Sequence, residues 1–494
     1  MLSPNCVTSA WKLSAMQERI DMEKMTHYRW TICIMMFLAL TINYLDRQVL
    51  SLTWDEFIKP EFHWNEAHYG LITATFSIVY AIGMLFAGNI IDRLGTKKGY
   101  LWSIGIWSFG ACLHAFCGIA TEAGVGLDNK AELIAATGDL ALLISTISMY
   151  FFLVARCILA IGEAGYFPVA VKVTAEYFPK RDRAFATSIF NAGASIGALI
   201  SPLTIPILAK YFGWELAFII IGALGFIWMG FWVFMYAPPA QSRFVNQAEL
   251  HYIEQDKRLE AELTKGKQET EKQMPIRQCF RYRQTWAFLL GKFCTDGVWW
   301  FFLFWTPSYL NTQFGIKTSE GLGIALIFTL YAITMLSLIG GKLPTLFINK
   351  TGENPYSARM RAMLIFAFIP LVVLLAQPLG TISPWFPVIL IGIGCAAHQS
   401  WSANIFTTVS DMFPKKAIAT VTGIGGMAGG ISSMLMQTCA GNLFVYAGET
   451  QLEFMGFVGK PAGYFIIFCI CSIAYLIGWT IMKTLVPKYK IIVD

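Results

Sequence analysis

Long apolar runs, each cut off by a short polar turn, recur along the whole chain. They lie near 28–52, 67–90, 99–120, 145–177, 184–209, 214–237, 285–311, 320–348, 358–377, 384–410, 417–444 and 462–485. A helix of about 20 apolar residues crosses the ~30 Å hydrocarbon layer of a bilayer, so the pattern predicts twelve membrane helices and an all-α fold within lipid. The first run is too long for a signal-peptide core and no small-residue cleavage site follows it, so it is expected to remain as a helix. The residues ahead of it look dispensable, and Met16, Met22 and Met25 are alternative starts.

Composition supports this reading: of 494 residues, 56% are hydrophobic and only 14% charged, unlike an ordinary soluble domain. The charges that remain are sorted. Segments after even-numbered spans hold "DRLGTKK", "PKRDR", the basic stretch 243–283, "INKTGENPYSARMR" and "PKK", and the C-terminal tail holds "KTLVPKYK"; the alternate loops hold only Lys59, Lys130, Lys210, Lys317 and Lys460. Arginine and lysine stay on the cytoplasmic side of membrane proteins, so both termini are expected there. The net charge of +6 has the same origin, and basic residues scattered along a membrane edge give no nucleic-acid footprint. The eleven cysteines fall mostly within apolar runs without zinc spacing, so neither disulfides nor a metal site are expected, and no cofactor.

The longest polar interruption separates the sixth and seventh spans. It divides the chain into an N-terminal tail (1–27), a six-helix bundle (28–237), a linker (238–284), a second six-helix bundle (285–485) and a C-terminal tail (486–494). Residues 247–264 suit either an amphipathic helix on the inner surface or a solvated linker helix. The halves repeat. "EYFPKRDRAFAT" (176–187) after span four matches "DMFPKKAIAT" (411–420) after span ten, and Gly193 and Gly197 match Gly426 and Gly430 at one offset. Small residues at that spacing let helix backbones approach closely, and transporters are commonly built from such repeats around a central site.

Between spans two and three, "GNIIDRLGTKKG" (88–99) carries Gly88, Asp92, Arg93, Gly95 and Lys97. These reproduce the GxxxDRxGxR/K signature, and the chain resembles the major facilitator superfamily along nearly its full length. The resemblance implies twelve helices in two six-helix halves. It also implies a cytoplasmic latch at Asp92 and Arg93, where the bland alternative is two solvated loop charges. No HExxH, GxSxG or P-loop is positioned for chemistry, so the chain is not expected to be an enzyme.

An ionisable group at the bilayer centre costs about 2.5–3.5 kcal/mol or more, so each one present is a functional candidate. These are Asp46 and Arg47 in span one, Arg156 and Glu163 in span four, Lys292 and Asp296 in span seven, and His398 in span ten. Arg156 and Glu163 lie seven residues apart, on one helix face and about 10 Å apart along the axis. Asp46 and Arg47 are adjacent, diverge by about 100° and must find partners elsewhere. Two buried arginines suit a carboxylate substrate, because guanidinium stays charged and holds both oxygens. An arriving anion would alter the proton affinity of Asp46 or Glu163, which is a way to load substrate and proton together. The structural alternative is a set of ion pairs that fixes helix register. Lys292 and Asp296, four residues apart, either neutralise each other or take part in binding or gating. His398 lies with Gln399, Ser400 and Asn404 in an unusually polar helix, which suits either interhelical hydrogen bonds or hydroxyl recognition. Trp299, Trp300 and Trp305 suit packing, with Trp300 able to stack on a sugar ring.

"NYLDR", Arg156 to Ala164, "EYFPKRDRA" and "FNAGASIGALISP" resemble the anion:cation symporter branch of the superfamily. "KFCTDGVWWFFLFWTPSYL" and "CAAHQSWSANIFTTVSDMFP" are most similar to bacterial hexuronate transporters. The resemblance implies proton symport of glucuronate or galacturonate, with Arg47 and Arg156 on the substrate carboxylate, Asp46 and Glu163 titrating, and Tyr80, His398 and Ser400 near the substrate. Galactonate-type relatives carry a glutamine where Ala194 stands and an asparagine where Gly426 stands. Asn191, one turn from Ala194, is the candidate replacement amide. Alternatives are another organic anion, such as an aldonate or aromatic acid, and a passive uniporter or non-transporting sensor. The fold needs no second copy to form a pathway, so a monomer is expected. The long loop 118–140 has no assigned role.

Overall fold

The structure, a computed structural model, describes residues 25–255, 274–340, 343–490 and 492. Among these, twelve long helices follow one another. They are α1 (Tyr28–Thr53), α2 (Glu66–Leu94), α3 (Thr96–His114), α4 (Gly138–Ala164), α5 (Lys180–Phe212), α6 (Trp214–Met235), α7 (Arg283–Phe314), α8 (Gly321–Thr334), α9 (Pro355–Phe368), α10 (Trp385–Met412), α11 (Lys415–Thr450) and α12 (Lys460–Leu485). Each expected span overlaps one of them, and the fourth, 145–177, runs on past α4 into a further helix, Tyr166–Tyr177. Among the described residues, eight helices are long and apolar enough to cross a membrane, and a ninth if α3 is joined to Cys117–Val125, which bends away from it by 50°. Of the others, α8 is short and continues through Ser337–Gly340 and Leu343–Thr351. The remaining two, α10 and α11, are respectively polar in the middle and rich in glycine. Large apolar side chains such as Phe86, Phe109, Ile227 and Phe234 are exposed on the outer faces, as expected where the solvent is lipid.

Some helices change pitch in mid-span. α1 passes through a π-helical turn at Trp54–Ile58 and ends as Lys59–Phe62. After α9 the chain tightens into a 3-10 stretch, Ile369–Leu375, at whose start Pro370 has no N–H to give. The 3-10 stretch does not show in a hydropathy pattern, because its residues are as apolar as their neighbours, whereas the π turn carries Asp55 and Glu56 just past the end of the first apolar run.

Glycines set the closest helix crossings. A Cβ on Gly197 would lie 2.6 Å from the Thr41 carbonyl oxygen, so α5 rides directly on α1. α2 meets α11 the same way, where a Cβ on Gly70 would lie 2.7 Å from the Gln437 carbonyl oxygen. The repeat-matched glycines do not play identical parts. Gly193 and Gly197 face α1, whereas Gly430 faces Ser77 and Ala81 of α2, and it is neighbouring Gly429 that faces α7 at Asp296. The carboxylates of the repeat agree better. Glu176 accepts from Thr96 at the start of α3 (2.5 Å), and Asp411 accepts from Arg359 Nε near the start of α9 (2.6 Å). In the signature segment, Gly95 joins α2 to α3 at φ 78°, a conformation that a side chain disfavours. Arg93 is exposed and Lys97 half-buried. Gly88 and Asp92 lie outside the residues whose surroundings are described.

Within the expected surface or linker helix 247–264, Gln247–Ile253 is helical and docked against the bundle. Glu249 accepts from the backbone N–H groups of Tyr28 (2.9 Å) and Arg29 (3.0 Å) and from Arg29 Nη1 (3.1 Å), capping α1. The Tyr252 hydroxyl donates to Asp182 Oδ2 of α5 at 2.7 Å. Residues 256–264, like tail residues 1–24, lie outside the described ones. Both chain termini leave the bundle at this end, which we call the terminal end; the other is the distal end. There the loop 118–140 forms two short helices, Cys117–Val125 and Lys130–Ala135. Burial draws the Lys130 ammonium toward neutrality, but its bonds to Glu215 and Glu61 outweigh this and hold its pKa above the usual lysine range.

Candidate functional site

Midway along α1 the run Asn43, Asp46, Arg47 and Gln48 is buried, although every one of these side chains is polar. α1 lies against α5, α6 and α7, and from Thr41 to Thr53 every residue is buried or half-buried, whereas Ile34 and Leu38 nearer its start are exposed. Arg156 and Glu163 on α4 are buried equally deeply, and none of Asp46, Arg47, Arg156 and Glu163 is more than 3% exposed.

The four side chains converge. Arg47 Nε donates to Glu163 Oε2 at 2.9 Å, and Nη2 donates to the same oxygen. Arg156 Nη2 donates to the Arg47 carbonyl oxygen at 3.3 Å. The two α4 residues therefore bracket Arg47, as their shared face allows. Asp46 has Glu163, Arg156 and Trp107 as its neighbours. Neither of its oxygens is within hydrogen-bond geometry of a donor, and Arg156 Nε and Nη1, Glu163 Oε1 and Asn43 Nδ2 are likewise unpartnered. Two cations and two carboxylates cancel in formal charge, yet only one pair is closed by direct hydrogen bonds. Leaving buried polar atoms unmatched costs about 1–3 kcal/mol each, and these atoms have room in their hydrogen bonding for a proton, water or a ligand atom.

Four rings enclose the Arg47 guanidinium: Trp300 at 4.7 Å, Tyr80 at 5.1 Å, Tyr44 at 5.2 Å and Phe76 at 5.3 Å from their centroids. Phe76 also lies under Arg156, at 5.1 Å. Tyr44, Phe76 and Tyr80 come from α1 and α2, whereas Trp300 comes from α7. Beside them Tyr44, Ala194, Ser195, Ala198, Trp299, Tyr331, Thr334 and Gln399 line a cavity of about 20 Å³. Drug-sized ligands need roughly 300 Å³ or more, so the helices must part before a sugar-sized molecule can fit.

Hydrogen bonds joining the first six helices to the last six gather toward the distal end. Gln48 Nε2 donates to Tyr331 at 2.5 Å, Tyr69 to the Phe304 carbonyl at 2.9 Å and Ser51 to the Leu303 carbonyl at 3.1 Å, while Ser77 and Ser433 share a bond of 2.9 Å.

This architecture has known counterparts. The backbone is similar to the crystal structure of a bacterial homologue of the human lysosomal transporter Spinster in an inward-facing, unoccupied conformation. The TM-score is 0.67 at 19% sequence identity, covering 93% of this chain and 98% of that one. Over 435 residues, 87% of this chain and 91% of its relative, the sequence is 29% identical to the hexuronate transporter of Escherichia coli K12. It is 28% identical over 457 residues to a probable galactarate/D-glucarate transporter of Bacillus subtilis 168, covering 92% and 93% of the two chains. A family model described as Major Facilitator Superfamily matches residues 36–436. The chain belongs to that superfamily. It is a membrane transporter rather than an enzyme.

Within this superfamily fold, the sequence-predicted residues separate into two groups. Asp46, Arg47, Tyr80, Arg156, Glu163 and Trp300 meet at one centre, and Gln399 lines the adjoining cavity. The others lie apart. His398 Nδ1 bonds the Tyr475 hydroxyl at 2.8 Å and its ring stacks on Trp299 at 5.4 Å. Ser400 donates to the carbonyls of Ala396 (2.9 Å) and Ser337 (3.4 Å), and Asn404 donates to the Ser400 carbonyl at 2.8 Å. These bonds tie α10 to itself and its neighbours. Lys292 Nζ pairs with Asp296 Oδ2 at 2.7 Å and lies 4.2 Å from the Phe406 ring centroid. Asn191 is exposed on the α5 face that carries Ala194, Ser195 and Ala198, one turn nearer the terminal end.

Asn43, Tyr44, Phe76, Trp107 and Tyr331 were not singled out from the sequence. A signal existed for three of them: Asn43 and Tyr44 stand four and three residues before Arg47, and Phe76 four before Tyr80, on the same helix faces. Trp107 and Tyr331 depend on which helices become neighbours.

Proposed function

We propose that the protein carries a sugar acid, a hexuronate such as glucuronate or galacturonate, across the cell's inner membrane together with a proton. The observation that carries this reading is the buried centre where Arg47, closed on Glu163, lies within reach of a ring from the opposite set of helices. A substrate carboxylate would compete with Glu163 for Arg47 and take the unpartnered donors of Arg156. Glu163, displaced, loses the cation that kept it ionised and takes up a proton. Asp46 is the second titrating carboxylate. Tyr80, Trp300 and Gln399 are placed to meet the sugar, and Asn191 to meet it on its way. Residues 28–237 and 285–485 rock against each other about this centre, joined by the linker 238–284. The terminal end faces the cytoplasm, by the charge bias of the loops, and the distal end is shut in the conformation described.

The name of the Escherichia coli relative supports the substrate class. A relative named for galactarate and D-glucarate points to diacids, but a second carboxylate requires a second free cation. Lys292, paired with Asp296, lies apart from the centre, and in this reading Arg47 and Arg156 both hold one carboxylate, which favours a single-carboxylate substrate.

Calorimetric titration of the purified protein with glucuronate and with galacturonate, in two buffers of different ionisation enthalpy, tests this. Binding with proton uptake from the buffer is expected. Binding without proton exchange would remove the coupling role of Glu163, and absence of binding by either acid would remove the substrate class.

A further inference from the structure

At the distal end, three carboxylates of the first six helices reach into the last six. The π turn of α1 presents Asp55 and Glu56 side by side. Asp55 Oδ2 accepts from Asn311 Nδ2 of α7 at 2.9 Å. Glu56 accepts from Thr318 Oγ1 and the Ser319 backbone N–H, both at 3.1 Å, and from the Ser319 hydroxyl. Glu66, at the start of α2, binds Lys460 at the start of α12 at 2.6 Å. Lys59 links the acids, lying 3.2 Å from Asp55 and 2.9 Å from Glu66; Tyr464 and His68 are close by, and Lys317 and Glu320 flank the Thr318 and Ser319 groups that bond Glu56. Glu66 is 3% exposed and Lys460 32%, so this pair is sheltered on one side only.

The insert 118–140 supports the same segment from behind. Lys130 bonds Glu61 at 2.7 Å and Glu215 at 2.6 Å. Trp214 Nε1 donates to Glu61 at 2.7 Å, and the His63 ring bonds the Leu133 carbonyl at 2.8 Å. Leu133 itself is fully buried. The tail of α1 beyond the π turn is thus clamped to its own bundle.

We infer that Asp55, Glu56 and Glu66 form a latch that holds the distal end shut, and that the insert 118–140 is its brace. A π turn is a local irregularity in the hydrogen-bond ladder, and such turns recur at functional places in helices. Without the brace, pulling on Asp55 and Glu56 would bend the α1 tail at that turn. With it, making or breaking the latch moves the whole first bundle. The inference rests on the transport reading for its purpose, but the latch is measurable without substrate.

Hydrogen exchange on the purified protein in nanodiscs, with neither substrate nor proton gradient, tests both parts. In Lys460→Met, peptides covering 54–59 and 311–320 should exchange about tenfold faster than in the wild type, while Lys460→Arg keeps them protected. In Lys130→Met, residues 59–63 should exchange about tenfold faster while 311–320 stay slow, because the latch survives but its seat loosens. Unchanged exchange at 311–320 in Lys460→Met overturns the latch. Unchanged exchange at 59–63 in Lys130→Met overturns the brace. Failure of sugar-acid transport in the wild type alters neither readout.

Discussion

Glu163→Gln isolates the central exchange of partners. Glu163 Oε2 takes two donors of Arg47, Nε at 2.9 Å and Nη2. Charge-assisted bonds contribute about 1.5–3 kcal/mol each, so a substrate carboxylate must first displace an interaction of at least about 3 kcal/mol. A glutamine keeps an acceptor oxygen but no charge, and roughly halves that interaction. The competition faced by the substrate then falls by about 1–2 kcal/mol, which tightens binding by about 5–30-fold. The same change removes the group that takes up the proton. Reconstituted Glu163→Gln protein should therefore bind glucuronate or galacturonate more tightly and exchange internal for external substrate. It should fail to accumulate substrate against a gradient. Continued uphill accumulation, or binding weaker than the wild type, refutes the reasoning.

Arg156→Lys keeps the charge but loses the planar fork, and substrate affinity should fall about tenfold or more; calorimetry that finds no change makes Arg156 a purely structural charge. Trp300→Ala removes the ring nearest the Arg47 guanidinium, an interaction of about 0.5–2 kcal/mol, and should weaken sugar-acid binding while leaving the folded fraction on size-exclusion chromatography intact. Glu249→Ala uncaps α1 and strands Arg29, a buried pair whose rupture costs about 3–5 kcal/mol; a melting temperature equal to the wild type would show that the linker helix is not docked. Gly197→Val forces a Cβ to within 2.6 Å of the Thr41 carbonyl, and should lower the melting temperature far more than Gly230→Val, where a Cβ meets nothing within 4 Å.

The spans were readable from sequence because a lipid-crossing helix needs about 20 apolar residues whatever its neighbours do. The 3-10 stretch at Ile369–Leu375 was not, since it interrupts no hydropathy pattern, and Asp55 and Glu56 end the first apolar run without revealing that the helix carries on through a π turn. Helix periodicity correctly put Arg156 and Glu163 on one face. It could not show that this face closes around Arg47, nor that Trp300 arrives from α7 to cover it, because both follow from packing between distant segments. The polar residues of α10 illustrate the opposite limit. His398 and Ser400 look equally available along the sequence, yet Tyr475 and the Ser337 carbonyl take up their bonds, and it is Gln399, 100° further round the helix, that lines the cavity. The repeat located the crossing glycines of α11, but a rotation of one residue decides which of them faces α7 and which faces α2.

The central claim is that an anion and a proton share one buried centre and cross together. Uptake of radiolabelled glucuronate and galacturonate into proteoliposomes, with and without an imposed inward proton gradient, tests it most directly. The account predicts accumulation above the external concentration only when the gradient is present, with collapse on addition of a protonophore. Uptake that merely equilibrates, with or without the gradient, would contradict it.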